Sequence, residues 1–402
     1  MPPGSLQEIA PVPQLYGKSM TRGEVAAHAG SLSQFAGVRL MTLGDGLERG
    51  LRMLEFRTGS GLRFSVLVDR AMDIAEVEHQ GRAVGWHSAA GFRHPGLHDV
   101  EAEGGFGWAR SFSGFLVTCG LDHILGPEVV STESYNYPGR KTASHGLHGR
   151  VSTIPARLTG YGEAWEVDRC ILWAEGVISQ ATVFGENLVL YRRIEADVGG
   201  DEIRLIDRVV NEGFLKTPHM MFYHINIGHP VLEEGARYLA PIKDVIWAAH
   251  EGRYRVQGVG YKTAPAPSNG FAEQVWQHEM AANAAGEVPV ALVNDRIGLG
   301  IEVTMLKEQF PCAYQWQYYQ SGAYVMGIEP STHHVLGNQA ARDRGEMIWL
   351  GPQDSRAYQT RFKVLDGPEQ IARSEAAIRA IAAQPEDDFP TPSGQFPHLS
   401  GR

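Results

Sequence analysis

From about Leu51 to Val364 the chain is written in short stretches of alternating apolar and polar residues, cut by Gly, Asn and Asp. That alternation is the period of a half-buried strand, whose successive side chains point to opposite faces. Leu62, Phe64, Val66 and Val68 stand two apart directly after Gly59-Ser60-Gly61, a hairpin signal. Leu188 and Leu190, then Ile194, Ala196 and Val198, then Ile203, Leu205 and Val209 repeat the theme, with Gly185-Glu186-Asn187 and Gly199-Gly200-Asp201 as turns. Long amphipathic helices do not alternate with these strands, which disfavours a parallel βαβ sheet. The expected fold class is all-β, a large antiparallel β-sandwich with a few short helices, since two sheets face to face bury both apolar faces. The clearest helix covers about 368–384: Pro368 suits a first turn, Ile371, Ile378 and Ile381 share a face, and Pro385 ends it. It is expected to cap the sandwich. No repeat or linker divides the chain, so one domain over 1–383 is expected. Residues 385–402, rich in Pro, Asp, Ser and Gly with few apolar anchors, read as a loosely ordered tail.

Composition narrows the partners. The 402 residues carry a formal net charge of −10 and no Lys/Arg-rich run that would neutralise a phosphate backbone, so nucleic acid is not expected as a partner. The acidic balance favours a neutral small molecule over a phosphorylated one. Cys119, Cys170 and Cys312 are far apart and form no CxxC pair, which suggests neither a disulfide framework nor a thiolate zinc site and fits a reducing cytoplasm. Met1 to Pro13 lacks a basic segment leading into an apolar core, and no uncharged apolar stretch approaches the roughly 20 residues that span a bilayer. No membrane partner is expected. A homodimer is allowed by the sequence and not required by it.

Three clusters put ionisable side chains beside Gly or Pro within strand-like segments. The first is His145-Gly146-Leu147-His148-Gly149-Arg150, where glycines allow tight turns and close approach of a ligand. In the second, His219 to Pro230 with His224-Ile225-Asn226-Ile227-Gly228-His229-Pro230, strand geometry sends His224 and Asn226 to one face and Ile225 and Ile227 to the other. The third is Gly327-Ile328-Glu329-Pro330, which follows the aromatic run Tyr314-Gln315-Trp316-Gln317-Tyr318-Tyr319; a glutamate ending an apolar strand is partly desolvated and made more basic. Taken singly, each has an ordinary structural reading: loop histidines meeting water, a core histidine bonded to backbone, a carboxylate capping a strand end.

Taken together they resemble a known family. Asp69-Arg70-Ala71-Met72-Asp73-Ile74, Gly114 to Leu121 with Thr118-Cys119-Gly120-Leu121, His148-Gly149-Arg150, Tyr223-His224-Ile225-Asn226, Gly327-Ile328-Glu329-Pro330 and Leu350-Gly351-Pro352 occur in consistent order over most of the chain. The pattern resembles the aldose 1-epimerase (galactose mutarotase-like) superfamily, and within it the aldose-1-epimerase-like branch known as a domain of unknown function. The resemblance implies an antiparallel β-sandwich whose concave face holds a free sugar, with no cofactor. It implies that His224 gives a proton to the ring oxygen, that Glu329 removes the proton of the anomeric hydroxyl, and that His148 contacts the substrate near the ring oxygen. Arg70, Asn226 and Gln315 are the sugar-hydroxyl contacts it suggests. Both His145 and His148 precede glycine; the His-Gly-Arg pattern favours His148 and leaves His145 as second choice. Ala71 stands where that branch usually has glycine.

The residue types suit the reaction. Opening a cyclic hemiacetal needs one proton to leave the anomeric hydroxyl while another reaches the ring oxygen, and an imidazole with a carboxylate can serve as acid and base near neutral pH. Trp316 or Tyr318 could stack on the sugar's apolar face. Two other readings compete: a metal-assisted isomerase or lyase on a keto or oxidised sugar, using His145, His148, His224 and Glu329 as ligands, and a sugar-binding module without catalysis on the same fold.

Overall fold

The computed structural model describes residues 12–133, 139–249 and 253–399; residues 1–11 of the expected domain and 400–402 of the expected tail lie outside them. Three sheets carry the fold, and the ladders between their strands are antiparallel. In the eight-stranded sheet, Arg157–Glu166, Arg169–Ala181, Asn187–Asp197 and Glu202–Asn211 follow one another as a meander, and Ser355–Asp366, Leu299–Leu306, Glu287–Asn294 and Arg237–Leu239 complete it. A seven-stranded sheet runs through Ile242–Ala248, Gln274–Met280, Cys312–Gln320, Ala323–Ser331, Thr217–Ile227 and Ile348–Leu350, with Leu116–Leu121 also paired to Thr217–Ile227. Five further strands, from Gly37–Thr42 to Arg82–Ala83, form a meander of their own.

Alternation does what it predicts. Leu188, Leu190, Ile194, Ala196, Ile203, Leu205 and Val209 are all buried in one core cluster, together with Phe56 and Phe64 of the five-stranded sheet and Tyr223, Ile225 and Ile328 of the seven-stranded one. The sheets therefore pack face to face, each fully buried large side chain contributing about 1.5–3 kcal/mol of transfer free energy. Two charged residues share the inward face of the meander. Arg192 lies directly across from Asp207 and meets it in a bidentate pair, Nε to Oδ1 at 2.9 Å and Nη2 to Oδ2 at 2.6 Å. Its other donors reach Ala71 O, Asp73 Oδ1 and Thr118 Oγ1 at 2.8–2.9 Å, so all five N–H groups are used. This network ties the turn before Asp73–His79 and the strand Leu116–Leu121 to the eight-stranded sheet.

The helix Pro368–Ile381 lies against the outer side of that sheet, where Ile371 and Ile378 pack with Leu239, Ala291, Val293 and Leu365. The segment after it departs from expectation. Ser393 and Gly394 donate to Val245 O and Ile246 O at 2.9 and 3.0 Å, Pro397 O accepts from His334 Nε2 at 2.9 Å, and Leu399 is buried with its N–H on Glu346 Oε1 at 3.1 Å. Far from a loose tail, residues 385–399 are strapped along the seven-stranded sheet. Backbone groups share the holding with Phe389, Phe396 and Leu399, which pack on the body.

Candidate active site

The strand Thr217–Ile227 is buried at every position, unlike the alternating strands of the meander. Leu116–Leu121 pairs with one of its edges and Ala323–Ser331 with the other. Tyr223 points into the layer between sheets, where its hydroxyl donates to Asp207 Oδ2 at 2.5 Å. His224, one residue on, must face the opposite way. The register, Ile225 across from Ile328 and Asn226 across from Gly327, sets His224 opposite Glu329. His224 Nε2 stands 3.1 Å from Glu329 Oε1, with both side chains about 5% exposed. Gly327 makes the space: a Cβ there would come 2.6 Å from Glu329 Oε1.

The two stand close without a hydrogen bond between them, and Glu329 Oε1 and His224 Nδ1 are both buried without a hydrogen-bond partner. Burial pushes the Glu329 carboxyl well above the usual range, helped by the charge of Glu273, and draws His224 down to about 3. Burial thus disfavours the charged form of each. That pull runs opposite to the charged carboxylate and imidazolium which the resemblance implies.

His148 reaches the same place from a loop. Residues His148 and Gly149 take φ of +59° and +77°, and Gly149 lies so close to the strand edge that a Cβ would stand 2.3 Å from Gly120 O. The His-Gly pair thereby docks the imidazole beside His224, at 5.7 Å between ring centroids. Its Nδ1 accepts from Leu125 N–H at 3.3 Å, which leaves Nε2 as the donor. Burial, with the neighbouring His224 and His123, holds its pKa well below the ordinary value.

Aromatic rings enclose this group. Trp108 packs edge-on to His148 at 4.6 Å, Trp316 edge-on to His224 at 5.0 Å, and Phe112 lies 4.6 Å from His224 while stacking on Trp108 at 4.3 Å. Trp86 closes one end, 5.3 Å from Phe112. Phe112 is only half-buried and the three indoles are buried, so it forms the outer wall. Trp316 was legible in the aromatic run; Trp108, Phe112 and Trp86 were not. The one available signal was Gly105-Phe106-Gly107-Trp108, aromatics interleaved with glycine in a non-strand segment.

The other expected contacts divide. Asn226 shares the face of His224; its Nδ2 donates to Gly114 O at 3.0 Å and its Oδ1 is buried without a partner. Arg70 is buried, with Nε and Nη1 unpartnered. It precedes Ala71 and Met72, both at positive φ (50° and 54°), so the turn that suits glycine is kept at a cost of about 1–2 kcal/mol per residue. His145 joins a separate cluster: it stacks on His123 at 4.7 Å and faces Asp122, Nδ1 to Oδ2 at 3.8 Å. Gln315 also lies elsewhere. It pairs with Ile328, one position out of step with Glu329, so it points to the opposite face, where it donates to Tyr261 O at 2.8 Å and meets His278. Among the described residues, no three or more His, Cys, Asp or Glu side chains group as metal ligands. Nor is any helix among them long and apolar enough to cross a membrane.

This antiparallel sandwich has the galactose mutarotase-like fold. A crystal structure of a Klebsiella pneumoniae protein provisionally named an aldose 1-epimerase superposes with a TM-score of 0.78 over 89% of this chain and 91% of that one, at 23% identity. A galactose mutarotase-like protein from Clostridium acetobutylicum (TM-score 0.56, 12% identity, 83% and 99% covered) and a galactose 1-epimerase from Lactobacillus acidophilus (0.51, 12%, 82% and 99%) share the fold. No curated protein matches the chain. The family model described as a domain of unknown function, DUF4432, matches residues 48–364, and the chain belongs to that family.

Proposed function

We infer that this protein exchanges the anomers of a free sugar by opening and reclosing its hemiacetal ring. The observation that carries the reading is the approach of His224 Nε2 to Glu329 Oε1 at 3.1 Å, in a nearly dry site where each keeps an unused hydrogen-bonding atom. The anomeric and ring oxygens are both bonded to C1, so two groups this close can reach both at once. One shared proton suffices. When the polar sugar enters, the proton of Glu329 passes to His224; the carboxylate then takes the anomeric proton while the imidazolium protonates the ring oxygen, and closure runs the steps in reverse. His148 Nε2–H steadies the ring oxygen, Asn226 Oδ1 accepts from a sugar hydroxyl, and Trp108 or Trp316 offers a stacking face.

Entry requires movement, because the pair is almost closed off. Phe112 is the half-buried ring at the outer wall, and its segment acts as the door. The test is NMR exchange spectroscopy with a panel of aldoses. Anomer exchange should run faster than the buffer-catalysed rate for at least one sugar; no acceleration for any of them would refute the reading, and calorimetric binding without acceleration would leave a sugar-binding module.

A further inference from the structure

Arg70 carries a charge that the rest of the protein leaves unanswered. It is 1% exposed, and its Nε and Nη1 are buried without a hydrogen-bond partner. The carboxylate nearest to it in effect, Asp73, is already bound by Arg192 Nη1 at 2.9 Å and by Thr118 Oγ1 at 2.6 Å. Burial draws the guanidinium down to about 10, which still leaves it charged at neutral pH. Buried cations are normally paired and hydrogen-bonded, because desolvation costs several kcal/mol otherwise.

Two more nitrogen groups share the condition. Arg93 Nε and His98 Nδ1 are buried without partners, and His98 feels the positive charges of both Arg70 and Arg93, with Asp99 as the one opposing carboxylate. This cluster adjoins the catalytic pair. His98 Nε2 bonds Ser111 Oγ at 3.0 Å, and Ser111 precedes Phe112, which packs on His224. Beyond that, Ala71 N–H bonds Ile154 O at 2.9 Å and Trp108 Nε1 bonds Ser152 Oγ at 3.2 Å, so the Arg70 turn and the indole beside His148 are seated on one loop.

We propose that Arg70, with Arg93 and His98, receives an oxoanion carried by the sugar, and that the substrate is a uronic-acid aldose whose planar carboxylate answers the unpaired guanidinium. The proposal rests on the anomer-exchange reading for its reaction and on the unpaired nitrogens for its substrate class. A carboxylate suits the place better than a phosphate, since a planar acceptor matches a guanidinium edge and needs less room in a closed site. The net charge of −10 gives an anion no long-range attraction, so selectivity has to come from this local cluster.

The test compares glucose and galactose with glucuronate, galacturonate and glucose 6-phosphate, by NMR anomer exchange and by calorimetry. A uronate should exceed its neutral counterpart in kcat/KM by about 10²-fold or more, as expected where a site is built to bond a polar group. The advantage should shrink below about tenfold in Arg70→Gln and in Arg93→Gln; the half-buried Arg93 carries the test if Arg70→Gln does not fold. Ligand-free Arg70→Met should melt at or above the wild-type Tm, because it removes an unpaired charge, whereas removal of a purely structural arginine lowers Tm. Neutral sugars exchanged as well as uronates, or a ratio untouched in both variants, overturns the substrate class and leaves the anomer-exchange reading standing. A phosphate preferred over both uronates overturns the carboxylate. Uronates that bind through Arg70 without exchange overturn the reaction and leave the anion site, and neither binding nor exchange overturns both.

Discussion

Tyr223 and His224 are neighbours in one strand and face two different worlds. On the Tyr223 side, Arg192, Asp207, Asp73 and Thr118 form a closed ionic network in which every donor of the arginine finds an acceptor. On the His224 side, Glu329, His224 and Asn226 are as deeply buried and, like Arg70, each has a polar atom with no partner. Burial is equal and satisfaction is not. A closed network holds a fold in place, while buried groups with spare bonding capacity, gathered on one face, are what a ligand site requires. The two are also coupled by position: the network grips Ala71 O next to Arg70, Thr118 next to Val117 across from His224, and Tyr223 itself. It is the rigid back wall against which the site is set.

Substitutions on the two sides should therefore fail in different ways. The largest effect is expected from Glu329→Gln, a fall in turnover of about 10² to 10⁴ with Tm close to wild type; a variant that exchanges anomers at the wild-type rate removes Glu329 from the chemistry. Arg192→Met should do the reverse. It strands two buried carboxylates and should cost about 3–5 kcal/mol in denaturant unfolding, as breaking a buried ion pair does. If it melts like wild type, the network is not the structural side. Tyr223→Phe removes a single bond to a charged acceptor and should cost about 1.5–3 kcal/mol, with any activity loss following the displacement of His224.

The smallest expected effect is a displacement of the pH profile. An exposed pair with ordinary constants near 4.3 and 6.5 holds its single proton only between them, giving a narrow optimum at about pH 5.4. Burial reverses the order, with His224 down to about 3 and Glu329 raised well above the usual range. The one-proton state then reaches lower pH than in an exposed pair: the acid limb appears only as His224 takes a second proton, and the alkaline limb as the raised Glu329 loses the last one. Thus the acid limb of kcat/KM should fall at about pH 3, the His224 value, rather than near 4.3. A sharp maximum near pH 5.4 would show that the pair is solvated during turnover.

The comparison also shows where reading the chain succeeded. The inward parity of Leu190 and Ile194 was plain, yet Arg192 lies on that same face between them, and Asp207 keeps step with Leu205 and Val209. A charge in an apolar register is a signal that periodicity offers and that went unread. His148 and Glu329, picked out by an adjacent glycine or proline, and His224, picked out in a cluster that runs on to Gly228 and Pro230, do converge. His145 and Gln315 were not separable from them by type alone. One residue of register decides the face in a strand, and for Gln315 that register depends on pairing with Ile328 in the next strand.

What the sequence determined by itself is the local period: alternating strands, their turns, the final helix, and so an antiparallel sandwich. These follow from which way successive side chains point, a property of neighbours along the chain. Tertiary structure alone decided which polar side chains are satisfied, that residues 385–399 are strapped to the body, and that burial disfavours charge on both His224 and Glu329. Those outcomes depend on water being excluded by segments distant in sequence, and desolvation is a property of the packed assembly rather than of any stretch of the chain.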